Sequence, residues 1–221
     1  MNFSHDLLGD VGAIIVAQQV AVICPESISA LYLRNSGLTA QLDRTFFTSL
    51  ADCTAIARLD LSFNNVGSEL IVSLLDSLKT HRGLNHLSLA GTESDDSVCE
   101  ALVKFRPPHL SSLDLSDNAN ITDSGGKALA SLLDVSNQLL RCLVANCPKI
   151  SPTTQTLIAS KADRNLSVAR VLDECLLQLK YYRFDLNADK RTRREVPHWI
   201  VRLFSVQCCL FVFEASHVDI I

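Results

Sequence analysis

The apolar residues of the chain recur in a six-residue phrase: an apolar residue, two further residues, a leucine, one residue, and a second leucine. Six copies are recognisable, and their middle residues stand at positions 31, 59, 87, 113, 143 and 169. The phrases read Ile28-x-x-Leu31-x-Leu33, Ile56-x-x-Leu59-x-Leu61, Leu84-x-x-Leu87-x-Leu89, Leu110-x-x-Leu113-x-Leu115, Leu140-x-x-Leu143-x-Ala145 and, more weakly, Leu166-x-x-Ala169-x-Val171. Alternation at period two predicts one short strand in each copy.

Helical segments fill the gaps between these phrases. The segment 66–78 shows this best, because one helical stripe with the i, i+3, i+4, i+7 spacing is formed by Ile71, Leu74, Leu75 and Leu78. Similar segments span residues 10–22, 39–53, 95–105 and 121–133. A unit of one strand, one loop and one helix cannot bury its apolar face alone. The pattern therefore predicts an α/β solenoid of about six stacked repeats over residues 1–172.

The most specific motif lies in the second and fourth repeats. Residues 59–67 read Leu-Asp-Leu-Ser-Phe-Asn-Asn-Val-Gly, and residues 113–118 read Leu-Asp-Leu-Ser-Asp-Asn. These segments resemble leucine-rich repeats of the long, ribonuclease-inhibitor-like subclass, and the resemblance covers about residues 6–172. It implies a curved parallel sheet on a concave face and helices on the convex face. It also implies that the turn asparagines bond the backbone of neighbouring repeats; Asn64 and Asn118 match, whereas Ser36 and Thr92 stand there elsewhere.

The concave face is the surface that most proteins of this kind use for binding. Outward-pointing strand residues should lie there, and the predicted interaction residues are Tyr32, Arg34, Arg58, Asp60, His86, Asp114, Asn146 and Arg170. Tyr32 and Arg34 are the candidate hot spot, since both residue types are enriched at such sites, although ordinary solvated side chains would give the same pattern. The C-terminal end of this face is predicted to be apolar and covered by the chain's own tail or by a partner, through Cys142, Val144, Val168 and Leu172.

The pattern changes after residue 172, so residues 173–221 are predicted to form a capping helix, a charged linker and an apolar docking tail. The basic cluster at 190–194 fits a nuclear localisation signal or a contact with an acidic partner, but the acidic residues around it favour a solvated linker. Residues 199–213 are strongly apolar and are predicted to dock on protein through Trp199, Phe204 and Phe211. A membrane anchor is disfavoured, because a spanning helix needs about 20 apolar residues and two polar residues interrupt this segment, Arg202 and Gln207.

Composition narrows the range of functions. The net charge of -4 gives no general sign of nucleic-acid binding. The eight cysteines are scattered without a C-x-x-C pair, which favours buried thiols in a reducing compartment over a metal site or a disulfide scaffold. The first residues lack the basic start of a secretory signal, so we expect an intracellular, cytoplasmic protein.

No catalytic motif stands out in the sequence. The patterns of the nucleophile elbow, the phosphate-binding loop and the H-E-x-x-H zinc site do not occur. His86 lies between Asp60 and Asp114 in sequence, but we expect the two carboxylates to be about 10 Å apart, which is too far to share a proton. The sequence therefore predicts no enzymatic activity, no cofactor and no metal.

Together these features predict a non-enzymatic protein-interaction module, a structural or scaffolding subunit of a larger intracellular assembly of the cytoskeletal or ciliary axoneme type. A segment as apolar as 199–213 favours a protein that works within a multi-subunit complex. Two alternatives stay open. One is a regulator of a small GTPase, by resemblance to the Ran GTPase-activating protein, and the other is a membrane-associated adaptor. Nucleic acid is not an expected partner.

Overall fold

The computed structural model describes residues 1–23 and 26–185, with the backbone alone for Ile23 and residues 178–185. The chain divides into two units, Met1–Leu172 and Asp173–Ile221, and the described part of the second unit is helical. Strands and helices alternate in the order α1 Gly9–Ile23, β1 Ala30–Tyr32, α2 Thr45–Asp52, β2 Arg58–Asp60, α3 Ser68–Leu78, β3 His86–Ser88, α4 Asp96–Phe105, β4 Ser112–Asp114, α5 Asp123–Val135, β5 Arg141–Leu143 and α6 Pro152–Asp185.

The five strands form one parallel sheet in the order β1-β2-β3-β4-β5. The middle residues pair in register from strand to strand, and all of them are buried: Leu31, Leu59, Leu87, Leu113 and Cys142. At the N-terminal edge, Asn2 bridges to Tyr32 and extends the sheet. This arrangement confirms the α/β solenoid predicted from the repeat, with strands on one side and helices on the other.

The helices bury the apolar stripes that their sequences predict. In α3 the buried residues are Ile71, Leu74, Leu75 and Leu78. The shorter α2 buries Phe46 and Phe47, whose rings meet edge to face with centroids 5.5 Å apart. α1 differs, because it buries small residues, Ala13, Ala17 and Val20, while larger apolar side chains before and along the helix face solvent: Leu7, Val11, Ile15 and Val22.

A buried asparagine joins the first repeat to the second. The Asn64 Oδ1 atom accepts hydrogen bonds from the backbone N–H groups of Ser36 and Leu38, both at 3.0 Å. Its Nδ2 atom donates to the carbonyl oxygens of Leu33 at 2.6 Å and Leu61 at 2.9 Å. One side chain therefore pairs buried backbone groups of two repeats, which would otherwise be unsatisfied.

Asn118 makes the same contacts between the third and fourth repeats. It accepts from the amides of Thr92 and Ser94 and donates to the carbonyls of Leu89 and Leu115. In the fifth repeat a cysteine stands at this position, and its Sγ atom donates to the Leu115 carbonyl at 3.4 Å. The repeat motif predicts the role of the two asparagines but not this contact of Cys147.

Acidic residues in the first turns of three helices provide a second set of contacts between repeats. Each carboxylate accepts from the backbone N–H and the hydroxyl of a residue in the next repeat, and the pairs are Asp10 with Thr39, Asp96 with Thr122, and Asp123 with Ser151. Thr39 also forms a parallel bridge with Asn65. α2 begins only at Thr45, six residues later than the sequence pattern predicts.

The predicted register of the fifth repeat is wrong by one residue. Leu113 pairs with Cys142 rather than with Leu143, so Cys142 and Val144 point into the core and Leu143 is half-exposed. Leu139, which is buried, takes the place that Leu140 was expected to fill. Because strand side chains alternate, a shift of one residue moves each of them to the opposite face.

The predicted sixth strand is also wrong. Residues 166–171 lie within α6, which begins at Pro152 and continues to Asp185. Ile158 and Ala162 are buried one helical turn apart, and the buried Asn165 donates to the carbonyl oxygens of three residues at the end of the preceding repeat, Leu133, Ser136 and Leu139. A short apolar phrase fits either a strand or one turn of a helix, and here the surrounding helical pattern decides.

Loss of the asparagine bridge should destabilise the fold strongly. Asn118→Ala leaves the amides of Thr92 and Ser94 buried without an acceptor, so we expect the free energy of unfolding to fall by about 2–4 kcal/mol. The matched control is Asn120→Ala in the same turn, because Asn120 is exposed and accepts from the Lys149 ammonium group. Its effect should stay below about 0.5 kcal/mol. Chemical denaturation measures both, and equal effects would contradict the bridging role.

The register of the fifth repeat can be tested with one buried and one half-exposed position. Val144→Asp places a carboxylate in the core, so the variant should already be unfolded at room temperature and show no cooperative transition on heating. Leu143→Asp places the same group on the strand face and should lower the melting temperature by only a few degrees. The register first predicted from the sequence would give the opposite order in thermal unfolding followed by circular dichroism.

Candidate functional site

The outward side chains of the sheet form two parallel rows on the concave face, which we define as the sheet face opposite the helices. The first row contains the strand residues before the buried middle position, Ala30, Arg58, His86, Ser112 and Arg141. The second row contains the residues after it, Tyr32, Asp60, Ser88, Asp114 and Leu143. The first row is therefore basic and the second acidic, and the rows lie side by side.

The two aspartates of the second row are fixed by their own turns. One carboxylate oxygen of Asp60 accepts from the Ser62 amide at 2.9 Å, and one of Asp114 accepts from the Ser116 amide at 3.0 Å. Both residues are half-buried. These bonds hold the carboxylates in place and leave the second oxygen of each free to accept a bond from another molecule.

Positive charge dominates around His86 in the first row. Partial burial lowers the pKa of its imidazole, and the nearby charges of Arg58 and Arg141 lower it further. The three residues belong to three strands of one sheet, paired in register. A carboxylate brought by a partner would be attracted by both guanidinium groups and would favour the charged imidazole.

A shallow depression of about 320 Å³ lies between the two rows. Its polar lining comes from Tyr32, Arg58, Asp60, His86, Ser88 and Ser112. Four of these residues were predicted from the sequence, namely Tyr32, Arg58, Asp60 and His86. A fifth predicted residue, Asp114, continues the acidic row on β4, so all five share one surface. Asp60 and Asp114 are two strands apart, or about 10 Å at the usual strand spacing, so they cannot act as a coupled acid pair.

The charges of this face take no part in the ion pairs that the structure describes. Those pairs join residues of the helices and their loops: Arg44 with Glu69, Lys79 with Asp76, and Asp134 with both Lys161 and Arg164. Within residues 1–23 and 26–177, Arg58, Asp60, Asp114 and Arg141 thus keep their charges free for another molecule.

One residue near this surface, Phe63, is not among those predicted from the sequence. The guanidinium carbon of Arg34 lies 4.1 Å from the centre of the Phe63 ring, and the phenylalanine side chain is 40% exposed. Arg34 was predicted as a site residue with Tyr32, but the aromatic ring beneath it comes from the next repeat. Aligning the repeats at this turn gives the missing signal, because the other repeats carry Asn35, Gly91, Asp117 and Asn146.

Two predicted residues do not belong to the strand face. Asn146 lies in the turn after β5 and donates to the Asp117 carboxylate at 2.9 Å, because the register of this repeat is shifted by one residue. Arg170 is exposed on α6, since no sixth strand forms there. The predicted apolar end of the face is wrong for the same reasons: Cys142 and Val144 are in the core, and Val168 is on α6. The predicted docking residues Trp199, Phe204 and Phe211 and the basic cluster at 190–194 lie outside the described residues.

The cysteines have the character of packing residues. Four of the five that the structure describes are buried, namely Cys53, Cys99, Cys142 and Cys147, and all five are free thiols. Burial raises the pKa of the Cys142 thiol to about 12 and raises that of Cys99 as well, which keeps both protonated and unreactive. Within the described part of the chain, no cluster of three metal-binding side chains occurs. No helix in that part has both the length and the apolar character needed to cross a membrane.

Comparison with known proteins assigns the repeat. A family model described as a leucine-rich repeat matches residues 106–130, which include β4 and the start of α5. The fold is a leucine-rich-repeat solenoid. A solved structure described as the actin-binding site 2 of leiomodin-1 is similar, with 16% sequence identity, a TM-score of 0.45, and coverage of 62% of this chain and 95% of that chain. No curated protein matches the sequence.

The charge environment of His86 gives a direct test of the basic row. Arg58→Gln and Arg141→Gln each remove a positive charge that disfavours the imidazolium, so the pKa of His86 should rise in both variants. Burial remains, so the pKa should stay below that of free histidine. Titration of the ring protons by NMR measures the change. Lys127→Gln on α5 is the control, and an equal shift in that variant would mean that overall charge, not this row, sets the pKa.

Proposed function

We propose that the leucine-rich-repeat solenoid is a protein-interaction module that binds a partner on the concave face of its sheet. The observation that carries this proposal is the pair of adjacent charged rows. Arg58, His86 and Arg141 face the same side as Asp60 and Asp114, and the arginines and aspartates form no described ion pair within the chain. Charge arranged in this way favours one partner and one orientation.

The spacing of the acidic row indicates what a partner must present. Asp60 and Asp114 are separated by two strands, or about 10 Å. Two basic side chains seven residues apart on a helix are also about 10 Å apart, since each residue rises 1.5 Å. An amphipathic helix that crosses the strands, with basic residues over the second row and acidic residues over the first, fits this surface.

We also propose that the protein is a subunit of a larger intracellular assembly, of the cytoskeletal or axonemal type that the sequence resemblance implies. The exposed apolar side chains of Val11, Ile15 and Val22 on α1 and of Leu7 just before it support this, with Leu7 95% and Val22 80% exposed. Large apolar side chains exposed on one helix favour an interaction site. The spacing of the middle residues, which stand at 31, 59, 87, 113 and 142, and the α-helix in each repeat support the ribonuclease-inhibitor-like subclass.

Neutralising the acidic row tests the concave-face proposal. Asp60→Asn with Asp114→Asn removes two charges and keeps an oxygen for the Ser62 and Ser116 amides, so the turns should be preserved. Partners captured by affinity purification from the native cell, and identified by mass spectrometry, should be recovered about tenfold less with this variant, as expected for the loss of about 1.4 kcal/mol. The matched control removes two exposed charges from the helices, Glu69→Gln with Glu100→Gln.

The control variant should capture the same partners as the native chain. A chain ending at Asp185 belongs in the same experiment, because residues 186–221 contain the predicted docking tail. Partners that are lost with this shorter chain but kept by the double asparagine variant would place binding on the tail. Such a result would contradict the concave-face proposal.

A further inference from the structure

The turns that follow the strands share one backbone feature. In all five repeats one residue of this turn has a positive φ: Asn35 at 49°, Phe63 at 58°, Gly91 at 60°, Asp117 at 59° and Asn146 at 55°. Glycine, asparagine and aspartate adopt this left-handed conformation readily, whereas a bulky residue is strained in it. Phe63 is therefore the exception among five equivalent positions.

The turn itself does not require a phenylalanine. Its side chain is 40% exposed, and the neighbouring asparagines and aspartate show that the turn forms without an aromatic ring. Strained residues persist mainly where they serve recognition or catalysis. The position thus combines a cost in backbone energy with a large apolar surface presented to solvent.

Three successive repeats build the surroundings of the ring. Arg34 of the first repeat stacks on Phe63 of the second, at 4.1 Å from the ring centre. Gly91 of the third leaves room for the ring, because a Cβ atom there would lie 3.1 Å from the Phe63 Cδ1 atom and 3.2 Å from Cε1. We call Arg34, Phe63 and Gly91 the aromatic rim site, since they lie where the strands of the concave face end.

The guanidinium of Arg34 has no acceptor for its N–H groups among the described side chains and backbone. Stacking uses the flat face of the group and leaves its N–H edge free. That edge matches the two oxygens of a carboxylate, and an arginine held by an aromatic ring loses little rotamer freedom when it binds one.

We propose that the aromatic rim site binds an acidic peptide segment of the partner. A glutamate or aspartate of that segment pairs with the N–H edge of Arg34, and an adjacent apolar side chain packs on the exposed part of the Phe63 ring. This inference deepens the proposed function, on which it rests, by naming the chemistry of the partner at one end of the concave face.

Peptide selection supplies a defined probe. Random heptapeptides displayed on phage are selected on the immobilised full-length chain, and recovered sequences are synthesised with blocked termini. They should contain aspartate or glutamate beside an apolar residue. Arg34→Gln and Phe63→Asn should each raise the dissociation constant for these peptides, measured by fluorescence polarisation, at least tenfold. The matched control is Lys104→Gln, because Lys104 lies 5.0 Å from the Phe105 ring in the second such pair described. Its affinity should stay within twofold of the native value.

A peptide with its acid replaced by the amide isolates the ion pair. Against the native chain the amide peptide should bind at least tenfold more weakly, and against Arg34→Gln the acid and amide peptides should bind equally. Recovery of no peptide, of peptides without acidic residues, or of peptides that bind both variants like the native chain would overturn the proposal.

Thermal unfolding separates recognition from a structural role. Phe63→Asn introduces the residue found at the same turn in two other repeats, so relief of strain should leave the melting temperature unchanged or higher. A fall of several degrees would mean that the ring supports the fold, and it would overturn the inference.

Capture experiments keep the two proposals distinct: partners lost with the Asp60 and Asp114 variant but retained by Arg34→Gln and Phe63→Asn would leave the concave-face function standing without the rim site.

Discussion

Hydrogen bonding between successive repeats is the constraint on which the rest of this structure depends. A turn of one repeat buries backbone amides that it cannot pair by itself, and a side chain of the next repeat reaches back to them. Asn64 does this for the amides of Ser36 and Leu38, and Asn118 does it for Thr92 and Ser94. Since unpaired buried amides are costly, each repeat is stable only against its neighbour, and the register of the sheet is fixed.

The fixed register also creates the candidate interaction surface. Parallel strands that pair without offset place equivalent residues side by side, so side chains that are 28 residues apart in sequence, such as those of Arg58 and His86, become neighbours. Neither charged row is a motif in the chain. The rows exist because the same position of each repeat points to the same face, and substitutions at that position change the surface without disturbing the leucines beneath it.

The sequence was sufficient to predict the strands and their register where leucine occupies the repeated positions, and this covers the first four repeats. It misled where other apolar residues replace leucine. In the fifth repeat Leu140 and Leu143 suggested one register, while Cys142 and Val144 fill the core in another. After the fifth repeat, a short apolar phrase that lies inside α6 has the spacing expected of a strand. Arg170 and Asn146 were misplaced for these reasons. In the fifth repeat no local pattern distinguishes the two registers, because the contacts that decide between them are made with the fourth repeat.

Phe63 shows how the constraint between repeats connects to recognition. The turn that contains Phe63 is held from both sides, since Asn64 bonds the backbone of the preceding repeat and the Phe63 amide donates to the Ala90 carbonyl of the following one at 2.7 Å. These hydrogen bonds therefore keep the phenylalanine in a conformation that it would avoid in a free chain. A ring and a stacked guanidinium that are ordered before binding lose less entropy when a partner arrives. The same bonds that hold the repeats together thus also prepare the most distinctive surface of the first three repeats for binding.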